Sequence, residues 1–169
     1  MKATDMFKHY KEMQKELAMT AYEISHFTGI SQEDIIEVLT FLRTDDEAGH
    51  FRSGSRRTES IALMAKELTE KKNNEWYQYL LKRYEQLDDE ISFFEFCIRQ
   101  MGEKKADILF ELLDGDLTRD QIADAYHVSR SLLGVYRKQA IKEIDRCYEL
   151  RDKQRSDFET RKKYPKCKI

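Results

Sequence analysis

The chain has 169 residues, with 30 Lys and Arg against 32 Asp and Glu, a formal charge of −2. That balance excludes a whole-chain pull on nucleic acid, so any phosphate-binding surface has to be local. One proline, six glycines, 37% charged and 40% apolar residues exclude a turn-rich β fold. They fit an all-α chain whose helices bury one stripe and solvate the rest.

Cys97, Cys147 and Cys167 are scattered and form no CxxC pair. This speaks against a disulfide framework or a zinc site and fits a reducing compartment. No stretch is apolar enough to span a bilayer, and the first residues are too polar for a signal peptide. A cytoplasmic protein without membrane contact is expected.

Residues 1–43 read as an N-terminal unit of three helices. Thr4 or Asp5 is placed to cap the first, which carries Phe7, Tyr10 and Leu17 at helical spacing. A short second helix is expected from Thr20 to Phe27, ending at Thr28-Gly29. The third begins at Ser31 with Asp34 three residues on, and puts Ile35, Val38, Leu39 and Leu42 on one face.

Residues 44–57 contain Gly49 and Gly54 and no apolar period, which predicts a linker or loop. Its acidic cluster Asp45-Asp46-Glu47 with His50 lacks the spacing of a helical metal motif or a calcium loop, so a solvated acidic loop is expected. Arg52, Arg56 and Arg57 offer charges that a nucleic-acid backbone would accept, although such runs are more often simply solvated.

The segment 58–101 is helical again, with Asn73-Asn74 marking either a tight turn of a hairpin or polar positions in one continuous helix. Tyr77, Leu80, Tyr84, Leu87, Ile91, Phe94, Ile98 and Met101 alternate steps of three and four, a coiled-coil seam. The stripe serves either the chain's own core or a homodimer joined through 77–101. Trp76, Phe93 and Phe96, off the seam, predict a second buried face.

Residues 102–157 hold the densest signal. A helix over Glu103–Leu113, facing inward through Ile108, Leu109, Leu112 and Leu113, ends at Asp114-Gly115-Asp116. Thr118 caps a short helix, His127-Val128 makes a turn, and Ser129 caps a long helix. This is the layout of a helix-turn-helix, with small Ala123 at the crossing and Ile122, Val128, Leu133 and Tyr136 as its wedge.

Leu117 to Ile144, LTRDQIADAYHVSRSLLGVYRKQAIKEI, resembles region 4 of bacterial sigma factors and the related phage late-gene regulators. The likeness rests on Leu117-Thr118, Ile122-Ala123, Val128-Ser129-Arg130 and Ala140-Ile141 before Ile144, about a sixth of the chain. It implies that the helix over 129–146 enters the major groove of double-stranded DNA. Two positions depart from the pattern: His127 replaces the family's turn glycine, and Gly134 lies inside the recognition helix.

With the inward positions assigned, Arg130, Ser131, Gly134, Val135, Arg137, Lys138 and Lys142 are expected on the outside. No acidic residue occurs from Ser129 to Lys142. Arg130, near the helix start, suits bidentate contact with guanine, whereas Arg137, Lys138 and Lys142 suit phosphates.

A weaker copy of the same skeleton spans residues 23–42, with Gly29 at its turn. Gln32, Glu33, Asp34 and Glu37 on its second helix would repel phosphates, so a structural or protein-contacting role is expected. The tail 158–169 is basic, expected to be disordered when free, with Cys167 exposed.

No GxSxG, phosphate-binding glycine loop or HExxH is present, so neither catalysis nor a cofactor is expected. The reading is a phage-type DNA-binding regulator of transcription. The alternatives are a sigma-like factor that binds RNA polymerase and a DNA-packaging oligomer of the small-terminase kind.

Overall fold

A computed structural model of the protein describes residues 3–44 and 54–163, with the side chains of 41–44, 54–58, 161 and 163 outside that description. Among the described residues there are six α-helices and no strand: α1 Ala3–Ser25, α2 Gln32–Thr44, α3 Gly54–Arg99, α4 Glu103–Asp114, α5 Arg119–Ala125 and α6 Arg130–Lys163. The all-α expectation holds. No described helix is long and apolar enough to cross a membrane.

The chain divides into two compact units, 1–17 with 87–169, and 18–86. That division cuts across the segments 1–43, 58–101 and 102–157 expected from sequence, because α1 and α3 each contribute to both units.

Three helix boundaries differ from expectation. The helices expected on either side of Thr20 are one helix, α1. Ala18, Met19 and Ala21 favour helix strongly, and no glycine or proline interrupts them before Gly29. Neither Thr4 nor Asp5 caps it, both lying inside the helix; the Asp145 carboxylate accepts a hydrogen bond from the Ala3 amide at 2.8 Å and fills that role from α6. Gly54 to Arg57, placed in the linker, open α3 instead.

Asn73 lies within the unbroken α3, and its side chain serves another turn. Its Oδ1 accepts from the Ile30 amide at 2.7 Å and its Nδ2 donates to the Ile30 carbonyl at 3.1 Å. This holds the bend after Gly29, whose φ of 72° suits glycine. Ser31 caps α2 as expected, its hydroxyl accepting from the Asp34 amide at 3.1 Å.

In the unit 1–17 with 87–169, Met6 and Tyr10 of α1 pack with Ile91, Phe94 and Ile98 of α3, Leu109 and Leu113 of α4, and Ile144 and Tyr148 of α6. The seam expected to join two copies is therefore part of this chain's own core from Ile91 onward. That leaves the homodimer expected through 77–101 without support, since over 91–101 the stripe is covered by the chain itself. The second buried face expected from Trp76, Phe93 and Phe96 also fails: Trp76 and Phe96 are exposed, and of the three only Phe93 packs against the core, its ring centre 5.2 Å from that of Tyr148.

Burial, aided by Cys147, pushes the Cys97 thiol from 9.0 up to about 12. Burial and the hydrogen bond donated to Glu95 raise the Tyr10 phenol, and burial with the Glu90 charge raises Tyr148. The unfolded chain gives up these protons at lower pH than the folded one. Their contribution is full below the ordinary thiol value of 9.0 and declines as pH rises beyond it. Urea midpoints should fall through that range, less steeply for Tyr148→Phe. A midpoint that stayed level to pH about 11 would contradict the assignment.

The linker's acidic cluster Asp45-Asp46-Glu47 with His50, together with Gly49 and Arg52, lies outside the described residues. So does Cys167 with the end of the tail. Residues 158–163, the part of the tail that is described, are helical.

Candidate nucleic-acid interface

Local chemistry builds the stretch from 115 to 130. Gly115 closes α4 at φ 63°, its amide donating to the Glu111 carbonyl. Thr118 and Gln121 form a reciprocal capping box: the Thr118 hydroxyl accepts from the Gln121 amide, and Gln121 Oε1 accepts from the Thr118 amide at 2.8 Å. Ser129 Oγ accepts from the Leu132 amide at 3.3 Å and starts α6.

Between α5 and α6 the chain turns at His127, which adopts φ 52°. The Val128 amide donates to the Ala123 carbonyl at 2.9 Å and ties the turn back to α5. A left-handed histidine costs roughly 1 kcal/mol that glycine avoids, partly offset by glycine's greater freedom when unfolded. His127→Gly is accordingly expected to stabilise the fold by about 0.5 kcal/mol, read from denaturant midpoints. A loss of stability would show that the imidazole makes a compensating contact.

Beneath the turn, Ile108, Ile122, Ala123 and Leu133 form a small closed core, with Leu112, Tyr126, Val128 and Tyr136 packed around it. This core fixes α5 against α6. It leaves Ser131, Gly134, Val135, Lys138 and Lys142 exposed along one face of α6, spaced so that they rise in a single strip.

Arg130 is also exposed, but it is not without a negative neighbour. Its guanidinium lies 3.4 Å from the Asp120 carboxylate of α5, with the two side chains 67% and 68% exposed. An ion pair that open to water is weak and does not hold the arginine away from a ligand.

Arg137 departs from expectation. It is half-buried, because it lies four residues after Leu133 and three before Ala140, both on the buried stripe. Its guanidinium sits 5.6 Å from the centre of the Phe7 ring. Around it is a recess of about 320 Å³ lined by Phe7, Leu112, Leu117, Thr118 and Arg119. Arg119 lies on the first helix of the pair, outside the residues expected from sequence. Its place directly after the Thr118 cap was the available signal.

Among the described residues, no group of three or more His, Cys, Asp or Glu side chains is placed to hold a metal ion. Compared with known proteins, the chain matches no protein-family model, no curated protein and no solved structure.

The second candidate skeleton, at the end of α1 and the start of α2, exposes Glu33, Asp34 and Glu37. That surface is acidic where the strip on α6 is basic.

Proposed function

We propose that the protein is a sequence-specific DNA-binding regulator of transcription, of phage or prophage type, that lays the first half of α6 in the major groove. The observation that carries this reading is the strip on α6. Arg130, Lys138 and Lys142 stand exposed with Ser131, Gly134 and Val135, and the helix has no carboxylate before Glu143. Short α5, the turn at His127 and α6 together act as a helix-turn-helix. The resemblance of Leu117–Ile144 to sigma region 4 supports the same assignment.

Within this reading the contacts divide by chemistry. Arg130 stands at the entrance of α6, where a planar fork meets guanine O6 and N7. Lys138 and Lys142 are point charges further along and meet phosphates. Arg119 and Arg137, which line the same recess, add a phosphate contact there.

Gly134 gives a discriminating variant. A Cβ at this position meets nothing within 4 Å, so packing does not require glycine there. Gly134→Ala should therefore stabilise α6 by about 0.5–1 kcal/mol. On the proposed function the added methyl stands between α6 and DNA, so affinity falls while thermal stability rises. Unchanged affinity would remove Gly134 from the interface.

The test of the function itself is selection of genomic DNA fragments on the full chain, followed by sequencing. A recovered common motif is the expected result; fragments retained without any shared sequence, or none retained at low salt, would contradict it. Pull-down of RNA polymerase without DNA separates the sigma-like alternative.

A further inference from the structure

An exposed aromatic cluster lies in the unit 18–86. Trp76 and Tyr79 of α3 stack with ring centres 5.4 Å apart and planes 20° apart, yet remain 51% and 56% exposed. Tyr22 of α1 and Trp76 border the same open recess of about 400 Å³, and Met19 lies one turn before Tyr22. Met19 and Tyr22 are 65% and 64% exposed. Large apolar side chains gathered on one face mark an interaction site, whereas ones scattered singly do not.

The unit that carries them is short of core. Among its residues with described burial, only Thr20, Ala65 and Leu80 are buried. Helix α2 follows the same pattern, with Ile35, Ile36 and Leu39 half-buried and Val38 exposed.

We propose that this face joins two copies of the chain, with their α3 helices crossing antiparallel beside Tyr79. The occupant follows from the charges that flank the aromatics. Lys72, Glu75, Trp76, Tyr79 and Lys82 recur on one face of α3. A two-fold axis passing between positions 78 and 79 sets Glu75 of one copy opposite Lys82 of the second, and symmetry repeats the pair. A parallel arrangement would set Glu75 against Glu75 and Lys82 against Lys82. The face thus complements its own rotated image, which an isologous dimer requires.

Glu75 is free to make that exchange. Its present partner, Lys71, is 3.9 Å away and the pair is largely exposed. The apolar side chains with the stems of the flanking charges offer on the order of 600 Å² per copy, approaching the roughly 800 Å² per partner of a standard interface. This face is distinct from the 77–101 stripe and does not depend on DNA binding.

Sedimentation equilibrium of the full chain without DNA tests it. The wild type should approach twice the 20.2 kDa chain mass as concentration rises. Tyr79→Glu should raise the dissociation constant by at least about tenfold. It should leave far-UV circular dichroism unchanged, because Tyr79 lies outside the core. Glu75→Lys and Lys82→Glu should each weaken the dimer, and the two combined should restore it. A chain that stays monomeric at its highest soluble concentration overturns the proposal, even if it captures some other protein. So does a dimer indifferent to Tyr79→Glu, or a double charge reversal no better than either single one.

Discussion

Arg151→Met should cost the fold about 2–4 kcal/mol, the largest stability loss expected of any charged residue among those described. The Arg151 guanidinium lies 2.6 Å from the Glu90 carboxylate, the two side chains only 13% and 23% exposed. It is held between aromatic faces, 4.3 Å from the Phe93 ring centre and 4.7 Å from that of Tyr148. Removing the arginine strands the Glu90 charge in a setting that water reaches poorly, and takes away a plane that both rings pack on.

The pair is nonetheless incompletely satisfied. Glu90 Oε2 and Arg151 Nε are buried with no hydrogen-bond partner among the described residues. Replacing both ends, Glu90→Leu with Arg151→Met, should therefore recover most of the loss, since it removes two desolvated charges together. Guanidinium unfolding of the two single variants and the double would measure this. Single variants within about 1 kcal/mol of wild type would show that the pair is better hydrated than its burial implies.

Arg130→Ala should weaken binding to the recovered DNA motif by about 10- to 100-fold and relax the preference at one base pair. A bidentate arginine contact with guanine supplies roughly 1–3 kcal/mol of discrimination. Lys142→Ala should behave differently. A phosphate contact carries no sequence information, so its loss weakens binding evenly across sequences and reduces the salt slope by about 1.

The Asp120–Arg130 pair sharpens the contrast. In free protein Arg130 has a carboxylate neighbour on α5, so Asp120→Ala should strengthen binding to unrelated DNA while leaving Lys142's contribution alone. Fluorescence anisotropy titrations on the motif and on a scrambled duplex, at several salt concentrations, separate these outcomes. Equal losses on both duplexes for Arg130→Ala and Lys142→Ala would refute the division between base and phosphate contacts.

What could be read from the sequence was what local chemistry determines. Gly115, the Thr118–Gln121 capping box and Ser129 each act within four residues, and each ends or starts a helix where expected. The wedge of Ile122, Val128 and Leu133 was legible because its spacing allows one inward face. Features that depend on neighbours distant in the chain were not legible. The period of Tyr77 to Met101 marked an apolar stripe, but a period cannot say whether α1 and α6 or a second copy covers it. Asp145 capping α1, and Asn73 holding Ile30, join positions more than forty residues apart that no local pattern connects.

The candidate interface shows the same limit on a smaller scale. Six of its seven residues fall on the exposed side of α6 as expected from the helical period. Arg137 was misplaced because it borders the buried stripe, where one step around the helix decides between solvent and Phe7. Arg119 and Asp120 sit on α5, outside the period of α6. Their relevance appears only once α5 and α6 cross over the Ile108–Leu133 core.

The central claim is that the strip on the first half of α6 faces DNA. Mapping backbone amide shifts by NMR, as the recovered duplex is added to the full chain, tests it most directly. The account predicts the largest changes from Arg130 to Lys142, with smaller ones at Arg119. Changes gathered on α2 or α3 instead, with residues 130–142 unmoved at saturation, would contradict it.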